Sequence, residues 1–465
     1  MRFQQIEWGN QQAKTNTFIC VIHTIALISG ALGVLACGSP DEAPDPGSTI
    51  GPELPPPSDN LLLGAAGAPI PTFGPDTAPN FETPFANLAA AGFNRFIPIF
   101  LTDESGEGTN HPLYFLPPSA LPGVPTAMTC AGPNNPWART PAGFAISLPA
   151  YLLIAEQPLD APIEEAVTTN RLQDFVDVCL VGDPTRAGEI YLYDEPANNY
   201  VASTLDQQPG EFELANVRRL ATAARAVVGV PTVLVEAPIP FILPYIGVSA
   251  DELAVIEPPF WQAVDATATE TDYFGFDIYP AGLTNDFTVL ANYLRFAMER
   301  SPNAKPLIVL QGSGYADMGI DLGSDGRRPT REETRNMAYV AFAGGAHAIY
   351  WYGQSALTLD DSDTWEHILE VVGELRALSG LLTLTKEPSR ITGNDQIISQ
   401  TWRDGDTLWL VAANPTGEHQ AFDVDLPTGA AVYDALTRSP VPTCRASLWR
   451  VELAAHETMA VAMTR

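Results

Sequence analysis

The stretch Gly188-Glu189-Ile190-Tyr191-Leu192-Tyr193-Asp194-Glu195-Pro196 is a short run rich in apolar and aromatic residues, closed by two acids and a proline. Such a run reads as a buried strand that stops at Pro196. Seven similar runs lie around it, at Leu61–Ala68, Phe93–Leu101, Phe144–Leu153, Thr232–Val235, Tyr273–Ile278, Leu307–Leu310 and His347–Tyr352. Helical patterns separate them, at Pro84–Ala91, Ile163–Cys179, Gly210–Val228, Asp251–Ala268, Asn285–Glu299 and Arg331–Gly344, with a last one at Trp365–Leu378. Strands alternating with helices imply βαβ units and parallel pairing. Eight such units close into a (β/α)₈ TIM barrel, expected over residues 60–382. An open doubly wound sheet is the alternative, but no Gly-rich dinucleotide fingerprint follows the first strand.

Past residue 382 the pattern changes to short alternating runs, from Gln396–Trp402 to Thr458–Met463, separated by turns such as Arg403-Asp404-Gly405-Asp406. This predicts a small antiparallel β-sandwich over 383–465, with support of the barrel as its default role. At the other end, Arg2 and Lys14 precede an apolar run from Phe18 to Ala36, closed by Val34-Leu35-Ala36-Cys37. That order is an export signal, and it resembles a bacterial lipoprotein signal. The resemblance implies removal of residues 1–36, lipidation of Cys37, a membrane partner through that anchor, and a place in the cell envelope. A plain transmembrane anchor is the alternative. The Pro-rich segment 37–59 reads as a flexible tether. In an oxidising compartment Cys130 and Cys179 are candidates for a disulfide, with Cys444 left over.

With 55 acids against 24 bases the net charge is −31, which argues against nucleic acid as a partner. The six histidines are scattered and no Cys/His cluster has metal-ligand spacing, so neither a metal nor another cofactor is expected.

In a barrel of this kind the functional residues sit at the carboxyl ends of the strands. Strand four ends in Asp194-Glu195-Pro196, strand five in Glu236, strand six in Asp277-Ile278-Tyr279, strand seven in Gln311 and strand eight in Trp351-Tyr352. Four carboxylates and several aromatics therefore converge on one mouth. Crowded carboxylates raise the pKa of one member and keep it protonated near neutrality.

The order of these segments resembles (β/α)₈ glycoside hydrolases with an added carboxyl-terminal β domain, over about residues 60–465. The resemblance implies a carbohydrate substrate, an oligo- or polysaccharide, and general acid/base catalysis by Glu195. It further implies a Trp351 floor for the sugar and an Arg95 that orients the carboxylates. One departure stands out: a large retaining group carries its nucleophilic Glu at the end of strand seven, where this chain has Gln311. Asp277 or Glu236 then takes the second role, or Asp194 orients an acetamido group in a substrate-assisted reaction. Tyr279, Gln311 and Tyr352 are read as substrate contacts. The rival reading is a non-catalytic glycan-binding lipoprotein on a degenerate barrel.

Overall fold

A computed structural model of the protein describes residues 50–67, 82–98, 117, 119, 126, 129–132, 135–150, 153, 163–205, 211–318, 326–352, 363–443 and 447–464. The export signal, Cys37 and Cys444 lie outside the described residues. So do the last residues of the run Phe93–Leu101.

Eight parallel strands close in chain order into a barrel. They are β1 (Leu62–Gly67), β2 (Arg95–Pro98), β3 (Ala145–Pro149), β4 (Ala187–Asp194), β5 (Thr232–Glu236), β6 (Tyr273–Ile278), β7 (Lys305–Gln311) and β8 (Ala348–Tyr352), with β8 pairing back onto β1. Around it run α1 (Glu82–Ala90), α2 (Glu165–Val178), α3 (Pro196–Leu205), α4 (Glu211–Val227), α5 (Ile239–Ile242), α6 (Ala250–Ala268), α7 (Thr288–Arg300), α8 (Arg331–Ala343) and α9 (Asp363–Leu378). The sequence pattern anticipates every strand of the barrel. It misses α3, which starts immediately after Glu195 on Pro196, a residue preorganised for a first helical position.

Strand alternation divides the hydrophobic core in two. Leu62, Ala66, Tyr191, Val233, Val235, Tyr273, Leu307, Val309 and Tyr350 fill the lumen. Their neighbours, among them Leu63, Ile190, Leu234, Phe274, Ile308 and Trp351, face the helices in a larger outer core. Gly64 on β1 faces the lumen opposite Tyr350. A Cβ added there would lie 2.0 Å from the Tyr350 ring, so only glycine lets that ring cross the barrel.

The carboxyl-terminal part forms two antiparallel sheets. Its strands are β9 (Thr385–Glu387), β10 (Ile391–Thr392), β11 (Ile398–Asp404), β12 (Thr407–Ala413), β13 (Gln420–Asp425), β14 (Ala431–Asp434), β15 (Pro440–Val441), β16 (Leu448–Leu453) and β17 (Thr458–Thr464). Six make one sheet in the order β15-β14-β17-β12-β11-β9, and three make the other, β10-β13-β16. A core of Leu408, Leu410, Phe422, Val424, Trp449, Val451 and Val461 joins them. The six-stranded sheet packs on α8, where Phe342 meets Trp402 at 5.5 Å and Asn336 donates to the Asn414 carbonyl at 2.8 Å.

Residues 50–59, read as flexible tether, are instead docked along the junction of barrel and β domain. Gly51 N–H donates to Arg438 O at 2.8 Å, Ser58 N–H to Ser379 Oγ at 2.9 Å, and Arg376 to Ser58 O at 3.0 Å. The prolines of this segment carry no N–H, and Gly380 supplies the close backbone approach at Pro55 and Pro56. Cys130 and Cys179 form a disulfide that closes a loop of 49 residues and ties the segment before β3 to the end of α2. In the chain-entropy account a loop of that size contributes about 4 kcal/mol.

Candidate active site

The site begins with an irregularity in β4. Tyr191 pairs with Val233 and Asp194 with Val235, so β4 advances three residues while β5 advances two. One extra residue is a β-bulge, and it re-aims the side chains beyond it. Tyr193 joins the outer core, whereas Asp194 turns to the side of lumen-facing Tyr191, whose hydroxyl donates to Asp194 Oδ1 at 2.7 Å. Strict alternation along the strand would have placed Tyr193 inward and Asp194 outward, so the bulge is what brings Asp194 to the mouth.

Glu195 follows with φ of 49°, in the left-handed region. Such a conformation in a non-glycine residue costs on the order of 1–3 kcal/mol, and strain of that size gathers at functional sites. Three contacts hold it. Glu195 N–H donates to Val235 O at 3.1 Å, Asn198 Nδ2 in the first turn of α3 donates to Glu195 Oε2 at 3.0 Å, and the carboxyl group shares a hydrogen bond with Asp277. Asp277 reaches that position because β6 turns Phe274, Phe276 and Ile278 outward, leaving the alternate residues to face the lumen. Tyr279 also hydrogen-bonds Asp277, and its ring stacks on Tyr352 at 5.7 Å with 15° between planes.

The electrostatics of this cluster are one-sided. Burial raises the pKa of Glu195 to about 7, with the charge of Asp194 pushing the same way and the hydrogen bonds from Asn198 and Asp277 opposing. Burial, then the charges of Glu195 and Asp194, hold the Asp277 carboxyl well above its usual range. Asp194 is also raised by burial, against the pull of Tyr191. The hydrogen bond between Glu195 and Asp277 favours the ionised form of the first and the protonated form of the second. Two carboxyl groups in that relation titrate as a pair, and both are held above their ordinary values.

Four of the residues read from the sequence have other places. Glu236 lies on the outward face of β5, fully buried. Its Oε2 accepts the Ala197 N–H at 2.9 Å and its Oε1 accepts Thr267 Oγ1 at 3.2 Å. It therefore caps the start of α3 and is no second carboxylate in the lumen. Arg95 is at the opposite end of the barrel from the mouth, bonded to Glu189 at 2.8 Å, and Glu189 also accepts from Ser147 at 2.5 Å and Tyr350 at 2.7 Å. Arg95 stands at the start of β2, so its partner is the acid at the start of β4 rather than those at the end.

Trp351 is fully buried on the outward face of β8, edge-on to Phe93 at 6.0 Å, and forms no floor for a ligand. On β8 it is Tyr350 and Tyr352 that face inward. Gln311 is buried with both amide atoms used: Oε1 accepts Ala281 N–H at 2.8 Å and Nε2 donates to Ala281 O at 3.1 Å. It clamps the loop that carries Tyr279. The β domain holds the same loop farther along, through Phe287 N–H to Pro415 O at 2.8 Å and a Phe287–His456 stack at 4.5 Å.

Asp194, Glu195, Asp277, Tyr279 and Tyr352 thus come together at the mouth; Glu236 and Gln311 brace the chain around it, whereas Trp351 packs in the outer core and Arg95 lies at the far end of the barrel. Asn198, Tyr191 and Tyr315 were missed. Asn198 falls one helical turn from Glu195 and could have been found once Pro196 was read as a helix start. Tyr315, whose hydroxyl donates to Tyr279 O at 2.5 Å, lies in an irregular segment with no periodic signal. A cleft of about 660 Å³ on the flank of the barrel, between Trp261, Tyr245 and Phe296, contains none of these residues. Among the described residues no group of three His, Cys, Asp or Glu is arranged to hold a metal ion, and no helix is long and apolar enough to cross a membrane.

No family model matches the sequence, and no curated protein does. Among solved structures the chain is similar to a GH30 endoxylanase from Clostridium papyrosolvens, with 11% identity and a TM-score of 0.47 over 90% of this chain and 98% of that one. It is similar to a glucosidase from Croceicoccus marinus, with 13% identity and a TM-score of 0.45 over 90% and 98%. It is also similar to an alpha-amylase from Anoxybacillus, with 10% identity and a TM-score of 0.46 over 87% and 98%. At those values nothing about the site is carried over from them.

Proposed function

We propose that the protein is a glycoside hydrolase in which Glu195 protonates the leaving glycosidic oxygen and Asp277 is its partner carboxylate. The observation that carries this reading is the coincidence of three features at one residue: a strained left-handed backbone, a pKa raised to about 7, and a direct hydrogen bond to a second lumen-facing carboxyl group. Structural carboxylates are held in relaxed geometry and paired with donors; general acids are kept protonated near the working pH. The chemistry balances simply. The proton shared by the pair passes through Glu195 to the leaving oxygen, and Asp277 is left ionised, facing the positive charge that develops on the sugar ring. Tyr279 and Tyr352 offer faces and hydroxyls to the sugar, and Asp194 remains available to orient a substituent beside the anomeric carbon.

The test is a survey of polysaccharides and their oligomers with the wild type and with Glu195→Gln. We expect wild-type turnover that falls by about 10²–10⁴ in the variant. Full activity of Glu195→Gln would remove Glu195 from its role, and binding of a glycan without turnover by the wild type would make the protein a glycan-binding module.

The proposal extends to location: an exported protein, anchored to a membrane of the cell envelope by lipid on Cys37. Its support is the basic, apolar and small-residue order that ends at Cys37, together with the Cys130–Cys179 disulfide, a bond typical of oxidising compartments.

A further inference from the structure

We infer that the cleft on the flank of the barrel is a second glycan-binding site, continuous with the mouth, which holds a polysaccharide chain beyond the unit being cleaved; this rests on the glycan reading above. The cleft, of about 660 Å³, is lined by α6, by α7 and by the segments that follow β5 and β6. Those two segments leave the carboxyl ends of their strands, so the upper part of the cleft lies at the rim of the mouth. On α7 the lining runs from Thr288 to Arg300, a rise of about 18 Å, which makes it a groove descending the flank rather than a pit. Tyr315 links the two places. Its hydroxyl donates to Tyr279 O at 2.5 Å, and burial, then the charge of Asp277, then that of Tyr245 raise its pKa. It therefore stands between the carboxyl pair and the cleft.

The lining has the chemistry that a sugar chain needs. A pyranose ring presents C–H groups on its faces and hydroxyls around its edge, so it is held by aromatic faces with polar side chains beside them. Tyr245 is 37% exposed, and Phe241 meets it edge-on at 5.4 Å. Tyr293, buried behind them, hydrogen-bonds the Phe241 backbone, so this platform is preformed. Deeper in, Trp261 and Phe296 form a wall with their rings 5.2 Å apart, and Arg300 covers the Trp261 ring at 4.2 Å. Among the described residues Glu257 spends one oxygen on Trp261 Nε1 at 3.0 Å, and Asn292 spends only its oxygen, on Arg295 at 3.3 Å. A carboxylate oxygen and an amide nitrogen are thus left for sugar hydroxyls. Glu257 and Asp286 offset Arg295 and Arg300 in the lining, although the chain as a whole carries a net charge of −31. A cleft with no prevailing sign suits a neutral polyhydroxyl ligand better than an anion.

The experiment is electrophoresis in native gels carrying soluble starch, arabinoxylan, mixed-linkage β-glucan or galactomannan. It compares the wild type, Glu195→Gln, Tyr245→Phe and the double replacement of Tyr245→Ala with Asn292→Ala, both exposed positions. We expect at least one polysaccharide to retard the first three proteins alike, because phenylalanine keeps the aromatic face. The double variant is expected to bind that polysaccharide about tenfold more weakly. Its kcat/KM on the polymer is expected to fall by a similar factor, with no change on an aryl glycoside of the same sugar, which fills only the mouth. Retardation of the double variant equal to that of the wild type, or no retardation by any of the four polymers, would overturn the inference. So would an equal loss on polymer and aryl glycoside, which would make Tyr245 a support of the mouth. Retardation lost in the double variant, with no turnover by the wild type, keeps the cleft as a glycan site and discards hydrolysis. Turnover that falls in Glu195→Gln, with retardation indifferent to the double replacement, keeps hydrolysis and discards the cleft.

Discussion

Glu195 concentrates at one position two costs that a purely structural residue would avoid, a left-handed backbone and a buried carboxyl group beside other carboxyls. Both have a consequence for stability. The folded protein holds the Glu195 proton more tightly than the unfolded chain does. This group therefore detracts nothing below about pH 4.5, its unfolded value, and destabilises the native state progressively as pH rises through about 7. The shift corresponds to on the order of 3 kcal/mol at pH 8, and Asp277 and Asp194 push in the same direction. Glu195→Gln is therefore expected to raise the melting temperature by a few degrees at pH 8 and to leave it unchanged near pH 4, measured by calorimetry. A variant no more stable than wild type at pH 8 would show that the carboxyl group is better solvated or better paired than its surroundings indicate.

Single strands and their ends decide what reaches the lumen. Gly64 on β1 is needed because the Tyr350 ring occupies the space of its missing side chain, and Tyr350 in turn donates to Glu189. Gly64→Ala overpacks that layer and is expected to lower stability by about 1–3 kcal/mol in denaturant titration. A neutral result would mean that the ring moves aside freely. Element by element, the sequence was informative where periodicity rules. The eight strands, the seven long helices between and after them and the change of pattern near residue 382 all follow from spacing and turn residues. It was uninformative where one residue breaks the period. The bulge in β4 reverses the faces of Tyr193 and Asp194, and no residue type announces it. Glu236, Gln311 and Trp351 have the residue types of a sugar site, yet each stands one strand position or one rotamer away from it, and only packing shows that backbone and helices have claimed them.

Over the whole molecule, the β domain and residues 50–59 clasp the barrel from the side of α8 and α9, and the domain also fixes the loop after β6 that follows Tyr279. The mouth is thus carried on strand ends held from several directions, the arrangement expected where side chains must stay in register for chemistry. The chain that enters this clasp comes from the segment beginning at Cys37. On the proposed lipid anchor, Cys37→Ser is expected to move the protein from the membrane to the soluble fraction of its native host; continued sedimentation with membranes would favour the apolar run 18–36 as a spanning anchor.

The central claim is that Glu195 delivers a proton to the leaving oxygen, and the dependence of the Glu195→Gln defect on leaving-group acidity tests it most directly. A poor leaving group such as a sugar hydroxyl needs the proton and is expected to lose about 10²–10⁴ in kcat/KM, whereas a strongly acidic phenol leaves without it and is expected to lose little. A loss of equal size for both leaving groups, or no loss for either, would contradict the account.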